Sequence, residues 1–147
     1  MGKVTKAVFL TALLLAITAP LFSQTADKLE ALLNDPELNW SMAAAFVFEA
    51  ADLDPEGSFR LAAEQKWLPK NVSSGDTARL NGIALLLMRS FDIKGGIFYS
   101  ITKSPHHAYR ELVYKNIIRG NTDPDMPVSG QQLLLLVNRI LAMKEQS

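Results

Sequence analysis

The sequence predicts an all-α fold, and three observations carry that expectation. No strand-rich segment appears anywhere in the chain. The apolar runs are opened by capping residues, most clearly Ser129 with Gln132 three positions later, ahead of Leu133-Leu134-Leu135-Leu136-Val137. The same helix-turn-helix pattern then returns along the chain. In the capping box the Ser129 hydroxyl takes the amide of Gln132, and the Gln132 side chain reaches back to the amide of Ser129. The run from Leu133 to Val137 leaves no polar face for a full turn, which predicts a helix enclosed on most sides.

Taken in order, residues 1–23 read as a secretory signal peptide. Lys3 and Lys6 form a basic start, Ala7 to Ala19 is apolar, and Pro20 breaks the run. The run is short for a membrane span, and an uncleaved N-terminal anchor is the alternative reading. A cut after Ser23 leaves 24–147 as a single domain with no membrane span. Ala26 to Asn34 predicts a short helix with Leu29, Leu32 and Leu33 on one face. Ser41 is expected to cap a helix to about Leu53. Asp54-Pro55 is a cap residue followed by proline at the first helical position, and it predicts a helix from Pro55 to about Lys66. Pro69 closes that region and 71–75 is loop. Asp76 or Ser74 is expected to cap a helix to about Phe91. Gly95-Gly96 reads as a hinge, and Ile97 to Ile101 as a short extended lead-in. Ser104-Pro105 opens a helix to about Tyr114. Asn116 suits the left-handed residue that ends a helix, with Ile117 supplying the apolar contact after it. Residues 120–127 are loop, and Ser129 starts the last helix, to about Leu141.

Shifted by 50 residues, 48–94 lies over 98–144 without a gap. The identities are Phe48/Phe98, Pro55/Pro105, Arg60/Arg110, Asn71/Asn121, Leu85/Leu135, Leu86/Leu136, Arg89/Arg139 and Lys94/Lys144. A shift of 88 lays Asp35-Pro36 through Ser41 over Asp123-Pro124 through Ser129. Three two-helix units follow, about 26–53, 54–94 and 104–141, the first of them shortened.

Composition narrows function. The chain has 147 residues, 48% of them apolar and 20% charged, enough for one domain with a real core. Lysines and arginines number 15 and so do the acids, so no basic excess exists to hold nucleic acid. Lys3 and Lys6 lie within 1–23, so the remainder carries 13 basic against 15 acidic side chains, a net of −2. The absence of cysteine excludes disulfides, thiolate metal sites and thiol catalysis.

Residues 97–141 carry a recognisable series: Phe98, then His107-Ala108-Tyr109, Asn116-Ile117-Ile118-Arg119-Gly120, Asp123-Pro124, and Ser129-Gly130-Gln131-Gln132 with Arg139. This series resembles the S-layer homology repeat of bacterial cell-envelope proteins. That repeat has an aromatic lead-in, a helix often marked Trp-Ala, Gly-Ile-Ile-x-Gly, a loop with Asp and Pro, and Thr-Arg-Ala-Glu opening a second helix. The resemblance implies three units whose second helices, 41–53, 76–91 and 129–141, form a central three-helix bundle. It also implies grooves between units that bind a cell-wall polysaccharide or peptidoglycan, in an exported protein of the periplasm or cell envelope. The family's motif arginine falls at Met42, Leu80 and Gly130, while Ser129 and Gln132 match its Thr and Glu in type. On this resemblance the polymer-binding residues are Ser129, Gln132, Arg110 and Arg79. The alternative is a module that docks on an envelope protein and keeps the scaffold without polymer binding.

Other chemistry is weaker. His107 and Glu111, four apart beside His106, have the spacing of two metal ligands, but no third ligand is indicated and packing on the lead-in explains them better. Asn121, Asp123 and Asp125 alternate like a calcium loop, yet Met126 stands where glycine belongs and Gln132 where glutamate belongs, so ordinary turn work is preferred. Glu49 interrupts an apolar helix and is read as exposed or paired. No serine has a nucleophile-elbow context, no acid–base constellation appears, and neither enzyme activity nor a cofactor is expected. Arg89 and Arg139 recur in last helical turns, where a cation suits the helix dipole. Trp40 and Trp67 are read as core plugs at unit junctions.

Overall fold

The computed structural model describes residues 25–147. The signal-peptide reading of 1–23 lies outside the described residues. The chain divides into two compact units, Met1–Leu32 and Leu33–Ser147. The described part of the first is helical, in a helix over residues 25–34 (α1) that runs across the division. The second contains α2 (Trp40–Ala50), α3 (Ser58–Glu64), α4 (Leu80–Ser90), α5 (Ile97–Thr102), α6 (Pro105–Tyr114) and α7 (Gly130–Glu145). The protein is all-α, with no β-strand among the described residues.

The second unit is organised by a ring of backbone hydrogen bonds. The short segments before α2, α4 and α7 meet one another. The amide of Leu38 donates to the carbonyl of Val128 at 2.9 Å, that of Val128 to Ala78 at 3.2 Å, and that of Ala78 to Leu38 at 2.8 Å. All three residues are fully buried, so bonds left unmade here would cost the desolvation of each polar group. Two residues further on, the first amide of each helix reaches across the ring. Trp40 donates to Asp76, Leu80 to Met126 and Gly130 to Asp35, each at 3.0 Å. These three helices therefore start from one point.

The ring also explains how the helices are capped. Asn39, not Ser41, is the N-cap of α2, and its side chain accepts from the amide of Met42 at 2.9 Å. The Asp-Pro turns align at a shift of 88, whereas Leu38 and Val128, joined in the ring, are 90 apart, so the first turn is two residues shorter. For α4 the expected caps Ser74 and Asp76 give way to Arg79, whose side chain makes no cap. The amides of Leu80 and Asn81 are instead answered by the carbonyls of Met126 (3.0 Å) and Pro124 (2.8 Å). The helix starts at Ser104 and Ser129 follow expectation. Ser104 caps α6 with Pro105 at its start, and Ser129 with Gln132 forms a complete capping box on α7.

Two further elements differ from their sequence readings. Pro55 sits in a turn ahead of α3, with the Asp54 carboxylate accepting from Glu56 at 2.9 Å, and the helix begins only at Ser58. The lead-in Ile97–Ile101 is helical rather than extended. The amide of Gly96, its N-cap, donates to Glu111 at 2.7 Å, and this long-range bond fixes the start of α5 against α6.

Helix ends repeat one device. Asp52, Lys66, Asp92 and Asn116 are left-handed, and the apolar residue after each (Leu53, Trp67, Ile93, Ile117) returns its amide to the preceding turn at 2.8–2.9 Å. The core centres on α4, where every residue from Ile83 to Met88 is buried. It packs against α6 and α2, and α2 packs also against α3 and α7. The last helix is less enclosed than its leucine run predicts: Leu133, Leu136 and Ile140 are buried, but Leu135 is exposed.

Candidate functional site

A groove of about 470 Å³ opens where the end of α4 meets α5. Its walls include Trp67, Arg89, Asp92, Lys94, Tyr99 and Lys103. Each arrives by a local structural cause. The left-handed Lys66 turns the chain after α3, which sets Trp67 5.8 Å from Phe48 with the rings tilted by 53°. Arg89 lies in the last turn of α4, its guanidinium carbon 5.9 Å from the centre of the Trp67 ring. Tyr99 is buried on the inner side of α5 because Gly95 leaves it room: a Cβ there would stand 2.5 Å from the tyrosine ring.

The electrostatics favour an anionic or hydroxyl-rich guest. Three cations, Arg89, Lys94 and Lys103, face one carboxylate, Asp92, which is already paired with Lys94 at 3.2 Å. That pair is exposed and adds little to stability. Burial pushes the Tyr99 hydroxyl above its ordinary pKa, against the opposing pull of the Arg89 charge, so the phenol stays protonated and can donate. The indole Nε1–H of Trp67 is buried with no hydrogen-bond partner. The lining holds no histidine and no carboxylate besides Asp92.

The residues singled out in the sequence fall elsewhere. Ser129 and Gln132 spend their side chains on each other's backbone, each bond 3.1 Å long. Arg79 is exposed at the ring and donates to the carbonyl of Asp125 at 3.1 Å. Arg110 is exposed on α6 and makes no hydrogen bond or ion pair with any of these. Arg139 donates to the carbonyl of Ile117 at 2.9 Å, tying α7 to the end of α6. The 50-residue shift pairs Arg139 with Arg89 and Ile117 with Trp67. One equivalent pair therefore closes a helix end, and the other forms a groove wall. Trp40 is a buried plug as expected, and Glu49 is exposed. His107 stacks on Phe98 at 5.9 Å, and no group of three or more His, Asp or Glu side chains among the described residues converges to hold a metal. The Asp123 carboxylate accepts from the amide of Asp125 at 2.8 Å, as a turn residue does.

Tyr99, Lys94 and Lys103 escaped the sequence reading because their convergence depends on α5 being helical. The available signal was the double glycine, which allows close approach of a neighbouring aromatic. No protein-family model, curated protein or solved structure matches this chain.

Proposed function

We propose that this chain is a non-catalytic, exported cell-envelope protein that binds or organises wall polymer, a polysaccharide or peptidoglycan, on an S-layer-homology-like scaffold of three units. The groove between α4 and α5 carries this reading. It combines an aromatic lining, Trp67 and Tyr99, with three cations against one carboxylate, which is chemistry that suits an acidic saccharide. The ring through Leu38, Ala78 and Val128 supports the three-unit scaffold, since it relates the starts of three second helices in one closed cycle.

Co-sedimentation of the protein with purified wall sacculi tests the reading. Binding is expected to weaken with salt and to fall in Arg89→Ala and Tyr99→Phe. Arg79→Ala and Arg110→Ala test whether the exposed arginines of the ring and of α6 share the polymer. No sedimentation at low salt overturns the proposal. A second reading, an envelope protein-interaction module without polymer binding, is favoured by the engagement of Ser129 and Gln132 in the cap, which leaves the motif position without a free polar group. Capture of one specific envelope protein in the absence of sacculus binding supports it.

A further inference from the structure

The outer face of α5 carries three of the four most exposed large hydrophobic side chains among the described residues. Ile97 is 77% exposed, Phe98 73% and Ile101 77%, while Tyr99 of the same helix is buried. Spacings of four (97/101) and three (98/101) residues place the three on one side of the helix. An exposed cluster of this kind marks an interaction site rather than ordinary surface.

We propose that this face inserts into the headgroup region of an anionic lipid bilayer, seating the domain on a membrane surface without spanning it. Charge is the first argument. Residues 93–110, bounded by Asp92 and Glu111, contain Lys94, Lys103 and Arg110 and no Asp or Glu, a local excess of cations in a chain whose formal net charge is zero. Lys94 and Lys103 flank the apolar trio in sequence; long lysine stems bury their methylenes while the ammonium groups meet lipid phosphates, Lys94 exchanging its weak, exposed pair with Asp92 for them. The second argument is hydrogen-bond closure. Ser100 donates to the carbonyl of Gly96 at 2.9 Å, and Thr102 to that of Phe98 at 2.8 Å. The helix's own hydroxyls are therefore answered before any contact with lipid, which lowers the cost of leaving water. The third is rigidity. Glu111 holds the Gly96 amide and His107 stacks on Phe98, so the wedge is presented in a fixed orientation.

Because the chain has no cysteine, Ile101→Cys carries a single nitrobenzoxadiazole label. With vesicles of phosphatidylglycerol and phosphatidylcholine in equal parts, its emission is expected to rise and shift to the blue. A label at Leu61→Cys, on α3, is expected to change little. The double variant Ile97→Ser with Phe98→Ser should bind such vesicles about tenfold or more weakly than the parent chain. Comparing full chains in this way cancels any contribution of the apolar stretch near the N-terminus. The same variant should retain the parent's thermal transition and its sacculus binding, which separates this proposal from the groove reading. Equal vesicle binding by variant and parent overturns the proposal. So does an Ile101 label that answers only to protein concentration, which would assign the face to a second copy of this chain.

Discussion

The indole of Trp40 occupies the space that a side chain on Gly82 would need. A Cβ at Gly82 would stand 2.6 Å from Cη2 and 2.8 Å from Cζ2 of Trp40, with Pro69 at 2.6 Å on the same carbon. Trp40 is the first residue of α2 and Gly82 lies in the first turn of α4, so the contact locks two helix starts together beside the ring. It also explains why α4 lacks the capping box of α7. The position that holds Gln132 in α7 must be glycine in α4, because the tryptophan covers it.

Gly82→Ala should therefore destabilise the protein although alanine is the better helix former. Overpacking costs about 1–3 kcal/mol, against a propensity gain of about 1 kcal/mol. A urea midpoint lower than that of the parent is expected. Gly75→Ala, where a Cβ meets nothing within 4 Å, serves as the control.

Ser129→Ala should cost about 1 kcal/mol through loss of the box on α7. Arg79→Ala, at the equivalent place on α4, should leave the denaturation midpoint nearly unchanged, since carbonyls of Met126 and Pro124 already answer the helix start. Equal losses in the two variants would show that the ring does not substitute for a side-chain cap.

Stability should decline in alkali through Tyr99. Its folded pKa is raised by burial, so the folded protein holds the phenolic proton more tightly than the unfolded chain does. That contribution is complete below the ordinary tyrosine value of 10.0 and is lost as pH rises through the higher folded value. Tyr99→Phe should flatten the alkaline limb of a stability–pH curve, measured by urea melts.

Much of the fold was legible where one residue type has one local use. Pro105, Asn116 and Ser129 each mark a helix boundary, and α6 runs from Pro105 to Tyr114 as its signals indicate. The reading failed where distant backbone decides. Ile97-Phe98-Tyr99-Ser100-Ile101 has the composition of a strand, yet the carboxylate of Glu111 and the back-bonded hydroxyls of Ser100 and Thr102 support a helix. Ser41 lost the cap to Asn39 because the first Asp-Pro turn is two residues shorter, a detail visible only once Leu38 meets Val128. The groove was harder still. Arg89 and Trp67 each had a plain structural explanation, and their partners come from α5, the element that was misread.

The ring at Leu38, Ala78 and Val128 makes the second unit a different thermodynamic object from a linear array of repeats. In an open solenoid each repeat touches only its neighbours, and the loss of a terminal repeat leaves the others folded. Here every start segment donates to one partner and accepts from the other, so there is no terminal member to lose. Cutting the chain anywhere between α4 and α6 leaves two of the three carbonyl–amide links without a counterpart in the first fragment. Residues 33–147 should melt in one transition, and mixing the two fragments should restore it.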